Sequence, residues 1–271
     1  MTIKNWLQNS TDVLKTSHIE SAQLDSEILL ADLLERDRSW ILAHPEHEIN
    51  RAQLSALEEK IKRRTNHEPM AYIRGKQEFY GRDFIANQDT LTPRPETETL
   101  IELALEILKN HTIVSVADIG TGSGCIIISL QLESESKAVF TGYDISEEAL
   151  IVAKQNATVL QSSALFEKAD IKELAEQKWQ SAELIVANLP YVPDEYVINK
   201  AATHEPKIAL FSGADGLDLY RVLFSRLSSV NMIVLTESLA MQHKDLEEIA
   251  RMRGYKLIKS NDLIQVFSRT K

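Results

Sequence analysis

The sequence predicts an α/β protein, with a mostly parallel, doubly wound sheet of seven strands and an antiparallel insertion at its edge. A small all-α bundle and a β-hairpin linker precede that sheet. Three observations predict this. From residue 112 onward, apolar strand-like runs alternate with helical patterns. Residues 1–75 show helical spacing and no strand alternation. The ending "GYKLIKSNDLIQVFSRT" offers two strands joined by a short turn with no helix between them, the signature of an antiparallel strand at a sheet edge.

Taken in order, "DSEILLADLLE" places Ile28, Leu29, Leu33 and Leu34 on a helical stripe, and "RAQLSALEEKIKRR" does the same with Leu54, Leu57 and Ile61 behind an Asn50 N-cap. The basic run Lys60 to Arg64 reads as the solvated face of that helix. "QEFYGRDFIAN" then alternates around Gly81 as a hairpin. Pro93 and Pro95 precede an amphipathic helix, and Pro95 suits a first helical turn because its missing N–H is no loss there. The expected domains are therefore 1–75, a 76–92 hairpin linker and 93–271. Within the last, "TIVSVADIG", "KAVFTGYD", "ALFEKAD", "AELIVANL" and "NMIVLTES" are the expected parallel strands.

With 271 residues, 44% hydrophobic and 26% charged, the composition is that of a soluble globular protein. The longest apolar runs fall well short of the roughly 20 residues a membrane-spanning helix needs, and the N-terminus carries no secretory pattern. Cys125 is the single cysteine, so no intrachain disulfide can form, and a cytoplasmic location is expected. The net charge of −10 opposes free duplex DNA as the main partner, since phosphate binding needs clustered Lys and Arg.

The chemistry is carried by the strand ends. "VADIGTGSGC" ends a strand at Asp118 and opens a helix through Gly120, Gly122 and Gly124, which let a ligand approach the backbone. The spacing is not that of a dinucleotide fingerprint, and no Lys-Ser/Thr pair completes a phosphate loop. Asp144 ends the next strand, where an acid accepts both hydroxyls of a ribose. Asp170 and Ile171 end the third, one suited to an adenine amine and the other to its ring face. With Asp118 near an amino acid moiety, S-adenosyl-L-methionine fits better than a dinucleotide. Asn188 ends the fourth strand beside the same crevice, followed by Leu189, Pro190 and Tyr191. Its carbonyl oxygen suits a hydrogen bond from an amino group about to be methylated, a carbonyl near Pro190 the second hydrogen, and Tyr191 a planar group. His204 and Glu205 lack metal-ligand spacing and read as a loop over the crevice. Cys125 reads as small packing, and Glu237 as orienting the sheet edge or a neighbouring loop. No metal is expected.

On these residues the chain resembles the peptide chain release factor glutamine methyltransferases, the HemK/PrmC family. "PMAYIRGKQEFYGRDF", "TPRPETETLIE", "DIGTGSGCIIISL", "GYDISEEALIVAKQNA" and "HEPKIALFSGADGLDLYR" are similar to its motifs along most of the chain. The resemblance implies a Rossmann-like class I methyltransferase domain that transfers a methyl group from S-adenosyl-L-methionine to the glutamine side-chain nitrogen of the Gly-Gly-Gln motif in class I release factors. S-adenosyl-L-homocysteine would be the product, and the helical bundle would help hold the factor. It implies cofactor binding by Gly120, Thr121, Gly122, Ser123, Gly124, Asp144, Asp170, Ile171 and Asn188. Substrate binding falls to Asn188, Leu189, Pro190 and Tyr191, with Asn188, Pro190 and Tyr191 catalytic. The expected partner is the release factor, with no membrane, no direct nucleic acid and a monomeric chain. Leu189 departs from the family's Asn-Pro-Pro-Tyr, and Leu189→Pro is expected to preserve or raise activity. Asn-Leu-Pro-Tyr also resembles the motif of the rRNA adenine dimethylases, so exocyclic adenine N6-methylation is the alternative.

Overall fold

Apolar residues at helical spacing form five helices in the N-terminal part: α1 (Ile3–Thr16), α2 (Ala22–Leu34), α3 (Arg38–Ala43), α4 (Arg51–Thr65) and α5 (Met70–Arg74). In this computed structural model residues 1–227 and 232–269 are described, and the chain divides into two units, Met1–Lys76 with Ile198–His204 and Gln77–Val197 with Glu205–Lys271. In the first unit α2 packs on α1, α3 and α4 around Leu14, Leu29, Leu30, Ile41 and Leu57. Burial extends past the predicted stripe: Asp25 and Glu27 are also buried, each paired with an arginine, Arg64 and Arg38 respectively. The Asn50 side chain caps α4 by accepting from Gln53 N at 2.9 Å. The basic run does not read as a simple solvated face, because Arg64 pairs with Asp25 and Arg63 with Glu68. A buried carboxylate needs such a partner, and these arginines supply it.

The second unit begins in the hairpin β1 (Lys76–Phe79) and β2 (Arg82–Ile85), and continues through a 3₁₀ turn, Pro95–Thr97, into α6 (Glu98–Asn110). Pro95 occupies the first position of that turn. Strand and helix then alternate as β3 (Ser115–Ile119), α7 (Cys125–Glu133), β4 (Val139–Asp144), α8 (Glu147–Val159), β5 (Leu165–Lys168), β6 (Leu184–Ala187), α9 (Asp218–Arg226), β7 (Met232–Glu237) and α10 (His243–Met252), before the closing pair β8 (Lys256–Asn261) and β9 (Ile264–Arg269). The predicted strand "NMIVLTES" starts at Asn231, which lies outside the described residues, as do Thr270 and Lys271.

The sheet runs β5-β4-β3-β6-β7-β9-β8. Its first five strands are parallel, and β9 is antiparallel to both neighbours. The antiparallel strand therefore sits one place in from the edge, which β8 occupies. Both faces are covered: along β6, Leu184 and Val186 enter one core while Ile185 and Ala187 enter the other, all fully buried. Such two-sided burial explains why this strand reads as an unbroken apolar run. The strand order reverses between β3 and its neighbours β4 and β6, so the crevice for ligands lies at the carboxyl ends of these strands.

A buried asparagine absent from the sequence reading ties the hairpin to this crevice. Asn156 on α8 accepts from Ile85 N at 2.7 Å and donates to Ile85 O at 3.3 Å and Ser123 O at 2.9 Å. Asn156→Ala is expected to lower unfolding free energy by about 2–3 kcal/mol, because it leaves buried backbone groups unpaired. Denaturant titration checks this, and a loss under about 0.5 kcal/mol would contradict it.

Candidate functional site

The turn after β3 is shaped by its first glycine. Gly120 has φ +75, and a Cβ there would come within 3.1 Å of Leu189 Cδ2. A side chain there would be strained by the positive φ and would press on the tip of Leu189. The backbone N–H groups of Gly120 and Thr121 both donate to Tyr143 O, at 2.8 and 2.9 Å, folding the turn over the end of β4. Asp144 completes the link: Oδ2 accepts from Gly122 N and Oδ1 from Ser146 N, both at 2.9 Å. Burial pushes the Asp144 carboxyl up, while these backbone donors oppose the rise.

Around this turn lies a cavity of about 370 Å³. Of the residues singled out in the sequence, Gly120, Gly122, Asp144, Asp170, Ile171, Asn188, Leu189 and Pro190 line it. Thr121, Ser123, Gly124 and Tyr191 do not line it. Thr121 Oγ1 donates to Asp118 Oδ2 at 2.7 Å, Ser123 is buried, and a Cβ on Gly124 would crowd Ile128, Ala153 and Phe166. Asp118 does not reach the cavity either, being fully buried under the turn. Burial pushes its carboxyl up to about 7, against the Thr121 bond and with Asp144 adding to the rise. Cys125 is buried with its thiol pushed up to about 12, as suits packing rather than nucleophilic chemistry.

The other side of the site is built on β6 and β7. Asn188 donates through Nδ2 to Thr97 Oγ1 at 3.1 Å. Tyr191 OH donates to Glu237 Oε1 at 3.1 Å. Glu237, at the end of β7, is 1% exposed, and burial pushes its carboxyl up while neighbouring polar groups, the Tyr191 hydroxyl among them, oppose the rise. It thus orients the loop after β6, on an interior strand rather than at the sheet edge. The Tyr191 carbonyl accepts from Gln242 Nε2 at 2.8 Å, and that amide also donates to Asp215 O at 2.7 Å. The loop ahead of α9 presses on the same carbonyl at Gly216, where any Cβ would overlap it, so Gly216 admits no side chain.

Glu205 is 3% exposed and closes one wall. It accepts from Thr92 N at 3.3 Å and from Arg94 at 2.5 Å, joining two loops that line the cavity through Leu91 and Pro206. The predicted loop over the crevice is therefore anchored by a buried carboxylate. His204 belongs to the other unit, where its Nε2 lies 2.9 Å from Asn66 O. Among the described residues, no group of three or more His, Cys, Asp or Glu side chains is placed to hold a metal ion, and no helix is long and apolar enough to cross a membrane.

Thr97 and Gln242 were not singled out from sequence, whereas Glu205 was read as part of a loop over the crevice and Glu237 as orienting the sheet edge or a neighbouring loop. Thr97 and Glu205 did lie inside conspicuous motifs, "TPRPETETLIE" and "HEPKIALFSGADGLDLYR". Gln242 left no signal, because its role exists only through contacts 51 and 27 residues away.

Two family models match the chain, one described as the PrmC N-terminal domain over residues 5–75 and one as a methyltransferase domain over residues 110–257. The release factor glutamine methyltransferase of Koribacter versatilis is 38% identical over 226 residues, covering 82% of this chain and 80% of that protein. That of Bacillus anthracis is 39% identical over 210 residues, covering 75% of this chain and 74% of its own. Among solved structures, the hMettl16 catalytic domain in complex with MAT2A 3'UTR hairpin 6 superposes with a TM-score of 0.52 and 13% identity over 82% of each chain, a likeness of fold alone.

Leu189 is 4% exposed, and its N–H donates to the hydroxyl of buried Tyr220 at 3.2 Å. That corrects the expectation for Leu189→Pro: proline removes this donor and part of the packing on Gly120. The variant is expected to lose about 1–2 kcal/mol of unfolding free energy and some activity. A thermal melt unchanged from the parent would contradict this. A second expectation concerns Asp118. Its folded value is raised, so its contribution to stability is full below the ordinary carboxylate value of about 4 and is lost as pH rises through about 7. Urea midpoints of the protein relative to Asp118→Asn should fall between about pH 5 and 7 and level off above. A difference independent of pH would show that Asp118 ionises normally.

Proposed function

Because the chain belongs to the release factor glutamine methyltransferase family, and is by that membership an S-adenosylmethionine-dependent methyltransferase, we propose that it methylates the side-chain nitrogen of the glutamine in the Gly-Gly-Gln motif of class I release factors. The observation that carries the proposal is the state of Asn188. Its NH2 is engaged by Thr97, so its Oδ1 is the atom left to accept a hydrogen bond at the cavity wall.

The cavity residues fit S-adenosylmethionine. Gly120 lets a ligand lie against backbone, and Asp144 keeps acceptor lone pairs beyond its two backbone bonds for ribose hydroxyls. Asp170 and buried Ile171 line the same cavity, which supports reading them as an acceptor and an apolar cover for an adenine. When bound, the cofactor supplies an electrophilic methyl group on sulfonium. The chain's own residues do the rest.

An amide nitrogen is a poor nucleophile because its lone pair is delocalised into its carbonyl. Asn188 Oδ1 accepts one of its hydrogens and a carbonyl near Pro190 the other, which aims the nitrogen and stabilises positive charge developing on it. The Tyr191 carbonyl is held by Gln242, which fixes the backbone on the far side of Pro190. The Tyr191 ring, tied by its hydroxyl to Glu237, covers the amide plane and excludes water. No strong general base is needed, since the nitrogen-bound proton becomes acidic only after transfer. The N-terminal helical unit, matched by its own family model, takes part in holding the factor.

The test supplies labelled S-adenosylmethionine with a release factor, with the same factor carrying Ala for the Gly-Gly-Gln glutamine, and with 16S rRNA. Label is expected only in the unaltered factor. Label in rRNA would favour the adenine reading, and label surviving the glutamine change would place the target elsewhere. Asn188→Ala is expected to keep cofactor affinity while transfer falls about 100-fold or more. An equal loss of cofactor binding would make Asn188 structural.

A further inference from the structure

The parallel pairing of β6 and β7 stops at Ala187 and Thr236. Asn188 comes next, and it lines the cavity just where the two strands part. Parting strands leave backbone donors and acceptors that a continuing ladder would have paired. Where these are buried, each needs another partner. The hydroxyl of Tyr220, on α9 and 0% exposed, serves both strands at once. It accepts from Leu189 N at 3.2 Å and donates to Glu237 O at 2.5 Å, with Ala187 O at 3.3 Å.

We propose that Tyr220 is a positioning residue for methyl transfer, whose hydroxyl bridges the parted ends of β6 and β7 and holds the backbone on both sides of Asn188. The proposal rests on the reading of Asn188 as the acceptor for the target amide. The directions of the bonds are fixed by their partners. A backbone N–H only donates, a carbonyl only accepts, and the hydroxyl has one proton, which goes to the nearer carbonyl. Burial pushes the phenol well above its ordinary value, so that proton stays in place.

The hydroxyl reaches the residue before Asn188 through Ala187 O and the residue after it through Leu189 N. Its ring is set in the core that also holds Ala187, Leu189, Leu217 and Leu223, so the hydroxyl has a firm mount. Without the hydroxyl, Leu189 N–H and Glu237 O would be left as an unpaired donor and acceptor. The gap between the strands would close toward direct pairing at about 2.9 Å and turn Asn188 with it. Tyr220 does not line the cavity, so it acts on the reaction through Asn188.

The experiment is a double-mutant cycle on the full-length protein, with methyl transfer to an intact release factor as the rate and calorimetry for cofactor affinity. Tyr220→Phe removes the hydroxyl and keeps the ring. It is expected to lower kcat about 10- to 100-fold, the scale of losing a group that orients a functional side chain, with cofactor Kd within about 2-fold. Rates are taken well below the unfolding midpoint of every variant, so a loss of stability alone leaves kcat unchanged. In an Asn188→Ala background, Tyr220→Phe should add less than about a 2-fold loss, because no carboxamide is left to position. Leu189→Pro deletes the donor of the same bond and is carried through the same cycle, so that one variant failing to fold leaves the other to decide. A parent-like kcat in the folded variants overturns the proposal. So does an equal loss of cofactor binding, or losses that multiply in the Asn188→Ala background. A parent protein that labels no release factor overturns the reading of the function itself, and is seen before any variant is compared.

Discussion

The whole site depends on one buried acid. Glu237 sits at the end of an interior strand with 1% of its surface exposed, where an ionised carboxyl without partners would be too costly to keep. One of its oxygens accepts from the hydroxyl of Tyr191, in the loop after β6. The backbone carbonyl of the same residue accepts the Tyr220 hydroxyl at 2.5 Å, and that hydroxyl in turn receives Leu189 N–H. The side chain and the backbone carbonyl of this one residue therefore help set the course of the Asn188–Tyr191 segment. The geometry that the chemistry uses is a by-product of making a buried charge site tolerable.

Around that acid the site is divided between two kinds of surface. Gly120, Gly122 and Asp144 present backbone and carboxylate on the β3–β4 side, and Asn188 to Pro190 present the β6 side. Gly120 leaves room where the two meet, since its missing Cβ lets the Leu189 side chain pack on the turn. Leu189 thus has a role of its own, packing on one side and donating its N–H on the other.

Much of this was legible in the amino-acid order. The alternation of strand and helix after residue 112, the two closing strands and the helical N-terminal part were readable because each is a local periodicity. Gly120, Asp144, Asp170 and Asn188 were readable because parallel strands deliver their last residues to one side of the sheet. Other features were not, for a common physical reason. The Asn188–Thr97 bond spans 91 residues and the Tyr191–Glu237 bond 46, and no local pattern encodes a partner that far away. Asp118 looked like a ligand residue because it comes just before the glycine turn, yet it is fully buried and its carboxylate accepts from Thr121. The basic run of α4 was read as solvated because charge runs usually are. Asp25 and Glu68, which turn two of its arginines to other uses, sit elsewhere in the fold. Leu189→Pro looked harmless because the N–H it would remove has its partner 31 residues downstream.

The cavity walls come from short segments near residues 89–91, 119–122, 143–146, 169–172, 188–190 and 206–219. No single one of these segments supplies most of the lining. The site is therefore a property of the completed topology and cannot survive as a local motif when the rest is loosened. Partial unfolding that leaves most helices and strands intact would still disperse the walls. Ligand binding by this chain is consequently a more stringent gauge of native packing than its secondary structure content, and a bound ligand would draw its stabilising effect from every one of those segments at once.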